Sequence, residues 1–269
     1  MTAKLSGINI FPVKGLSGIA LDQSDTTTRG LRYDRRFMIV GRDHEFVSQR
    51  ELPKMATIWT ELIGDKLELA AADQESVTVD IQPRALPTRT VRVWSSHIRA
   101  HTVSAEADEW LSDYLGFDAC LVYMPDSAER RCSPTYAKNN EIVSFADGFP
   151  FLVTNETSLE DSNQKITANG GAAVPMNRFR SNLVVSGAAA WAEDGWDEIE
   201  IGSAVFRAAK PCGRCQVTTT DQATGEVRGP EPLKTLSTFR HTDKGILFGV
   251  NLVPVKLGSV RLGDRVEFR

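Results

Sequence analysis

Two cysteines three residues apart, bracketed by cations, form the most chemically loaded stretch of this 269-residue chain: Lys210-Pro-Cys-Gly-Arg-Cys-Gln-Val-Thr-Thr-Thr-Asp221. A thiolate is a soft, strong ligand for a transition metal, and Lys210 and Arg214 would favour the ionised form of a neighbouring thiol. The Gly213-Arg214 turn can present backbone N–H groups to an anion. Three other chemistries fit a lone Cys-x-x-Cys. A structural zinc needs two further soft ligands, yet Cys120 and Cys132 are distant in sequence and His44, His97, His101 and His241 are scattered. A thioredoxin-like redox pair opens a helix after a strand, whereas Cys215 runs into a β-branched segment that reads as a turn before a strand over 216–221. The two thiols can also be simply packed, since reduced cysteine is often buried.

The elements that must hold these side chains are mostly strands. Apolar/polar alternation bounded by Gly, Pro and Asp recurs at 5–13, 36–41, 66–72, 76–81, 90–93, 183–186, 198–201, 204–209 and 265–268, at the spacing of sandwiches and barrels. Helical periodicity is confined to 105–115, with Gly116 as the stop, to a helix opening at Thr157 as N-cap with Glu160 completing a capping box, and to a short segment at 233–239. The expected fold is mainly β, of β-barrel type with a few short helices, in two closely associated β-rich domains, 1–126 and 127–269. The polar, turn-rich stretch 127–140 is the linker candidate. The first ~35 residues are expected to pack with the second domain, because short edge strands pair across distant segments. Phe11, Phe37, Phe149 and Phe151 are assigned to the core.

Composition narrows the function classes. A formal net charge of −4 argues against nucleic acid as the main ligand. No apolar run approaches the ~18 residues of a membrane span, and the first ten residues lack a signal peptide's apolar run and cleavage site. Four unevenly spaced cysteines make no disulfide framework. The expectation is a reduced, cytoplasmic protein that binds neither nucleic acid nor membrane.

Several segments, in order, resemble one family. Ile10-Phe-Pro-Val-Lys-Gly15, Gly30-Leu-Arg-Tyr-Asp-Arg-Arg-Phe-Met38, Phe46-Val-Ser-Gln-Arg50, Ser144-Phe-Ala-Asp-Gly-Phe-Pro-Phe-Leu152, Thr154-Asn-Glu-Thr-Ser-Leu159, Arg178-Phe-Arg-Ser-Asn-Leu-Val-Val185, the Cys-x-x-Cys segment, Phe248-Gly-Val-Asn251 and Val260-Arg-Leu-Gly-Asp264 are similar to those of MOSC-domain proteins. The likeness is greatest to bacterial relatives of the mitochondrial amidoxime reducing component. It implies a molybdenum–pterin cofactor (Mo-molybdopterin) whose metal is ligated by Cys215, the catalytic residue. It further implies cofactor contacts from Lys14, Gly15, Arg35, Arg180, Asn182, Gly213, Arg214 and Asn251, with Thr154 and Asn155 as weaker candidates. Cations suit the cofactor's phosphate, and Arg suits bidentate geometry. Arg32, Arg36 and Arg50 are candidate rim charges, and Asp34 and Asp221 are either proton donors or salt-bridged or turn-forming residues.

The implied reaction is reduction of a small N-hydroxylated compound, of amidoxime or hydroxylamine type, with the cofactor doing the redox chemistry. No cysteine follows Cys215, so a Cys-ligated iron–sulfur cluster is not expected within this chain. Electrons would come from a separate protein of ferredoxin or flavoprotein type. The alternative is a carrier that passes on cofactor or sulfur through a cysteine persulfide. Two positions depart from the family pattern: Gly15 replaces the Ser of P-V-K-S, and Gly213 the Ser of C-S-R-C, so two hydroxyls are missing from the implied site.

Overall fold

The chain's first strand and its second belong to different sheets, and the crossing between them lies at the candidate site. In the computed structural model, which describes residues 2–84 and 86–268, the strand Lys4–Ile10 pairs antiparallel with Leu183–Ser186. Two residues intervene before Val13–Lys14, which pairs in parallel with Phe37–Val40. Phe11 and Pro12 make the crossing.

Lys4–Ile10 sits inside a nine-stranded sheet otherwise built largely from the second half of the chain. Its path runs Val266–Phe268, Glu198–Ile201, Ala204–Arg214, Gly245–Lys256, Phe151–Asn155, Leu183–Ser186, Lys4–Ile10, Ile19–Ala20, and His241–Thr242 pairs off the path with Gly245–Lys256. A shift of register between Leu5 and Gly7 lets Leu5 and Ile8, three residues apart, both face the core, as a bulge does by adding one residue to one strand. Leu5, Ile8 and Ile10 pack there with Phe151, Val153, Leu183, Val185, Phe206 and Leu252. A five-stranded sheet, Thr88–Val93, Ser96–Thr102, Cys120–Tyr123, Phe37–Val40, Val13–Lys14, carries the first half. Phe37–Val40 is buried on both faces: Phe37 and Ile39 enter one apolar cluster, Met38 and Val40 another. That is why it is an unbroken apolar run rather than an alternation. Two three-stranded sheets, one of Trp59–Ile63, Lys66–Ala71 and Gln74–Asp80, complete the β structure.

The mainly β fold with few helices is as expected, but barrel closure is not. Every sheet is an open path among the described residues. The gap between Phe37–Val40 and Thr88–Val93 is spanned only by the single-residue pairs Val40–Phe46 and Glu45–Arg92.

The helix Ala105–Leu115 starts on Ser104, whose Oγ accepts from Ala107 N, and stops at Gly116 at φ +80°, a left-handed C-cap that glycine adopts without strain. Among the described residues no helix is long and apolar enough to cross a membrane.

Two local expectations are corrected. The segment after Cys215 is a 3-10 helix, Gln216–Thr219, rather than a strand. Thr218 and Thr219 turn their hydroxyls back onto the carbonyls of Cys215 and Gln216, which satisfies the turn and offsets the β preference of threonine. The helix Glu156–Ala168 is capped by Asn155, not Thr157. The linker candidate 127–140 has no strand or helix but is tied down: Arg130 and Cys132 are buried, and their backbones bond to Val143 and Glu141.

Candidate functional site

At the Phe11–Pro12 crossing the two large sheets border an open cavity of about 140 Å³. Lys14, Gly15, Arg35, Arg180, Asn182, Arg214, Cys215 and Asn251 all line it, so residues from position 14 to position 251 share one space. Thr154, Asn155 and Gly213 do not line it. Thr154 is fully buried and bonds to Ser181 Oγ and Met176 Sδ. Asn155 caps its helix and donates to Glu193 and Ala189. Phe46, Gln49, Arg50, Asp147 and Cys212 also line the cavity. Arg32 and Arg36 border a different depression, with Arg29 and Asp126.

The cavity is cationic in an acidic protein. Lys14, Arg35, Arg50, Arg180 and Arg214 face one carboxylate, Asp147. Arg35 and Arg180 both lie over the Phe11 ring, at 4.4 and 4.3 Å from its centroid. Burial, then repulsion from Arg35 and Arg214, brings Arg180 down to about 9, which leaves it cationic at neutral pH. Arg180 Nη2 and Arg214 Nε are buried without a partner. A buried donor lacking an acceptor is costly, so this is a set of cations short of an anion.

The positions of these cations are over-determined. Arg35 and Arg180 have left-handed backbones, at φ +49° and +52°, a conformation costing a non-glycine residue about 1–2 kcal/mol. Arg35 is held by its own N–H to Phe11 O and by Phe145 N–H to its carbonyl. Its guanidinium donates to Asp34 Oδ2 (2.6 Å), Asn182 Oδ1 (3.3 Å) and Arg180 O (3.1 Å). Asp34, with no exposed side-chain surface, also accepts from Phe11 N at 2.8 Å. It is thus a salt-bridged residue that fixes the crossing, and Asp221 likewise pairs with Arg178 at 3.0 Å. Asn182 accepts from Leu152 N and donates to Asn9 O, tying the first strand to the cavity floor.

Gln49 and Gln222 form a reciprocal amide pair between the two halves of the chain. Gln49 Nε2 also bonds Gly15 O, and Gln222 Oε1 accepts from Arg180 Nη1 at 3.1 Å. Sequence reading missed this pair and Asp147. Gln49 and Asp147 stand inside family-like segments, but nothing in their residue type singles them out. Gln222 lies just beyond the Cys-x-x-Cys segment with no such signal.

Lys14 Nζ lies 2.5 Å from Asp147 Oδ1, and Arg130 locks the loop bearing Asp147 through the carbonyls of Ser144, Ala146 and Asp147. Burial lowers Lys14 despite this partner. Packing around Asp147 opposes its charge, but Lys14, with Arg35 and Arg50, outweighs that and holds the carboxyl well below the usual carboxylate range. The Asp147 side chain is nonetheless 73% exposed, so solvent screens the pair. A depressed carboxyl contributes stability above its unfolded pKa, about 3.9, and loses it as acid protonates the folded form. The stability difference between wild type and Asp147→Asn should therefore shrink as pH falls below about 4. Urea unfolding between pH 6 and 3 reads this; a difference that grows toward acid would contradict it.

The two cysteines are not equivalent. Cys212 ends up inside the strand Ala204–Arg214, where its Sγ accepts from Arg214 Nη1 at 3.0 Å. Cys215, exposed, opens the following 3-10 helix. The cation expected to support Cys215 is thus engaged with Cys212 and with Phe179 O, while Lys210 lies over the rings of Tyr136 and Phe149. Gly213 is a packing requirement: a Cβ there would stand 2.8 Å from Lys244 O, a backbone atom. Gly213→Ser is expected to cost about 1–3 kcal/mol through that overpacking, measured by urea unfolding; unchanged stability would show that the strand can move aside.

Residues 2–118 match the family description "MOSC N-terminal beta barrel domain" and residues 140–267 match "MOSC domain". Mitochondrial amidoxime-reducing component 1 of Mus musculus is 30% identical over 96% of this chain and 79% of its own length. This chain belongs to the MOSC family. Mitochondrial amidoxime reducing component 2 of Rattus norvegicus is 31% identical over 97% of the chain and 82% of that protein. Molybdenum cofactor sulfurase of Solanum lycopersicum is 29% identical over 92% of the chain, but over only 33% of that protein.

The charged groups of this MOSC chain's cavity fit an anionic ligand. Among the described residues no group of three or more His, Cys, Asp or Glu could hold a metal ion. A metal at Cys215 would thus lack a full set of protein ligands, and most of its donors would have to come with the ligand. The unpartnered guanidinium nitrogens and the excess of cations fit a ligand that carries phosphate.

Proposed function

We propose that this protein binds a molybdenum–pterin cofactor through Cys215 and reduces small N-hydroxylated compounds, using electrons from a separate ferredoxin- or flavoprotein-type donor. The observation that carries this reading is the single cavity shared by the Cys215 thiol and by Lys14, Arg35, Arg180 and Arg214. The amidoxime reducing components, similar over nearly the whole chain, support the choice of reaction. The cofactor, when bound, supplies the two-electron removal of oxygen from an N–OH group; with two protons the products are the N–H compound and water.

The chain's own residues supply ligation, charge and access. Cys215 offers a soft thiolate, and its exposure leaves a route for a small substrate. Lys14, Arg35, Arg180 and Arg214 neutralise an anionic ligand, and their fixed placement requires no rearrangement on binding. Phe149, Phe179, Leu152 and Val217 form apolar wall, which strengthens these attractions by excluding water.

Metal analysis of freshly purified protein by mass spectrometry, with reduction of benzamidoxime by a chemical reductant, tests the reading. Stoichiometric molybdenum with turnover is expected. A metal-free protein that accumulates a cysteine persulfide would instead establish a sulfur or cofactor carrier.

A further inference from the structure

Trp94 occupies a position that its backbone disfavours and its burial does not explain. Val93 pairs with Ser96 in the hairpin of Thr88–Val93 and Ser96–Thr102, leaving a two-residue loop of Trp94 and Ser95. Such loops favour Gly, Asn or Asp where φ is positive, and Trp94 stands at φ +56°. A bulky residue there is an outlier. The indole is 40% exposed, so core packing does not offset the strain. Strain of this kind concentrates at functional sites.

The ring's neighbours belong to the cavity. Arg50 lies over it at 4.5 Å from its centroid, and the Phe46 ring is 5.0 Å away, inclined at 53°. Arg50 and Phe46 both line the cavity that holds Cys215 and Lys14, and Lys14 Nζ lies 5.2 Å from the Phe46 ring centroid. The strained loop therefore places a broad, open aromatic surface beside the cavity wall, next to a flat guanidinium. Indole and guanidinium faces both stack on planar π systems.

We propose that Trp94, with Phe46 and Arg50, forms a subsite beside the cavity that selects flat, ring-bearing N-hydroxylated substrates over aliphatic ones. This rests on the reductase reading of the same cavity, and Trp94 acts in it as a specificity-determining residue.

Trp94→Gly is the informative variant, because glycine takes φ +56° without strain and the hairpin should stay folded; thermal melting at or above the wild-type temperature checks this. On the purified, cofactor-loaded protein, calorimetric binding of benzamidoxime is compared with that of acetamidoxime, and turnover of each is measured with a chemical reductant. The variant is expected to bind benzamidoxime about ten-fold more weakly, equivalent to about 1.4 kcal/mol, and acetamidoxime unchanged, with KM moving in parallel and kcat little affected. Equal weakening for both compounds, or none for benzamidoxime, overturns the subsite whether or not the protein turns over. Ring-dependent binding without turnover of either compound would overturn the reductase reading and leave an aromatic-binding rim.

Discussion

Cys215→Ala is expected to purify without molybdenum and without benzamidoxime reduction, yet to melt at the wild-type temperature. The thiol is exposed and makes no capping bond to the 3-10 helix it precedes, so its loss should change stability by no more than about 0.5 kcal/mol. As the proposed metal ligand, it should be worth essentially all of the metal retention. Metal content per chain, thermal melting and turnover, measured on one preparation, separate ligation from folding. Cys212→Ala removes the acceptor for Arg214 Nη1 and a weak donor to Gly213 O and is expected to keep the metal with reduced activity. Full metal retention in Cys215→Ala would sink the assignment, and equal losses in both variants would indicate a dithiol mechanism.

Asp34→Ala has the opposite signature: stability falls first and function follows. This carboxylate has no exposed surface and serves two donors, Phe11 N and Arg35 Nη1. Its removal leaves the Phe11 N–H without its acceptor and strips the largely buried Arg35 guanidinium of its carboxylate, for which a loss of about 3 kcal/mol is expected. Urea unfolding reads the loss. Asp34→Asn, which keeps an acceptor for Phe11 N, should recover part of it. A drop below about 1 kcal/mol for Asp34→Ala would mean that the crossing holds without this residue.

What could be read from the sequence followed the reach of the interactions involved. Helix Ala105–Leu115 and strands Leu183–Ser186 and Glu198–Ile201 match the reading at both ends, because local periodicity and a glycine stop define them. The shared cavity was legible only through resemblance. No local rule brings Lys14, Arg180 and Cys215 together; the crossing at Phe11–Pro12 does. The misreadings have local causes. The threonines after Cys215 use their hydroxyls to close a turn, and Asn155 outcompetes Thr157 as a cap because it also reaches Glu193. Asp147 was missed because an Asp before a Gly reads as an ordinary turn; only the structure shows Lys14 against it. Trp94 went unremarked because positive φ cannot be seen in a residue type that normally avoids it.

Placing Lys4–Ile10 between Leu183–Ser186 and Ile19–Ala20 has a consequence for synthesis on the ribosome. The earliest strand to emerge must wait for a partner about 180 residues later in the chain, and Asn251 must also be delivered before the cavity has all its walls. Closing so long a loop late in translation is slow. A fragment beginning at residue 127 would leave Leu183–Ser186 with a bare edge open to another chain. Neither half carries the whole cavity wall.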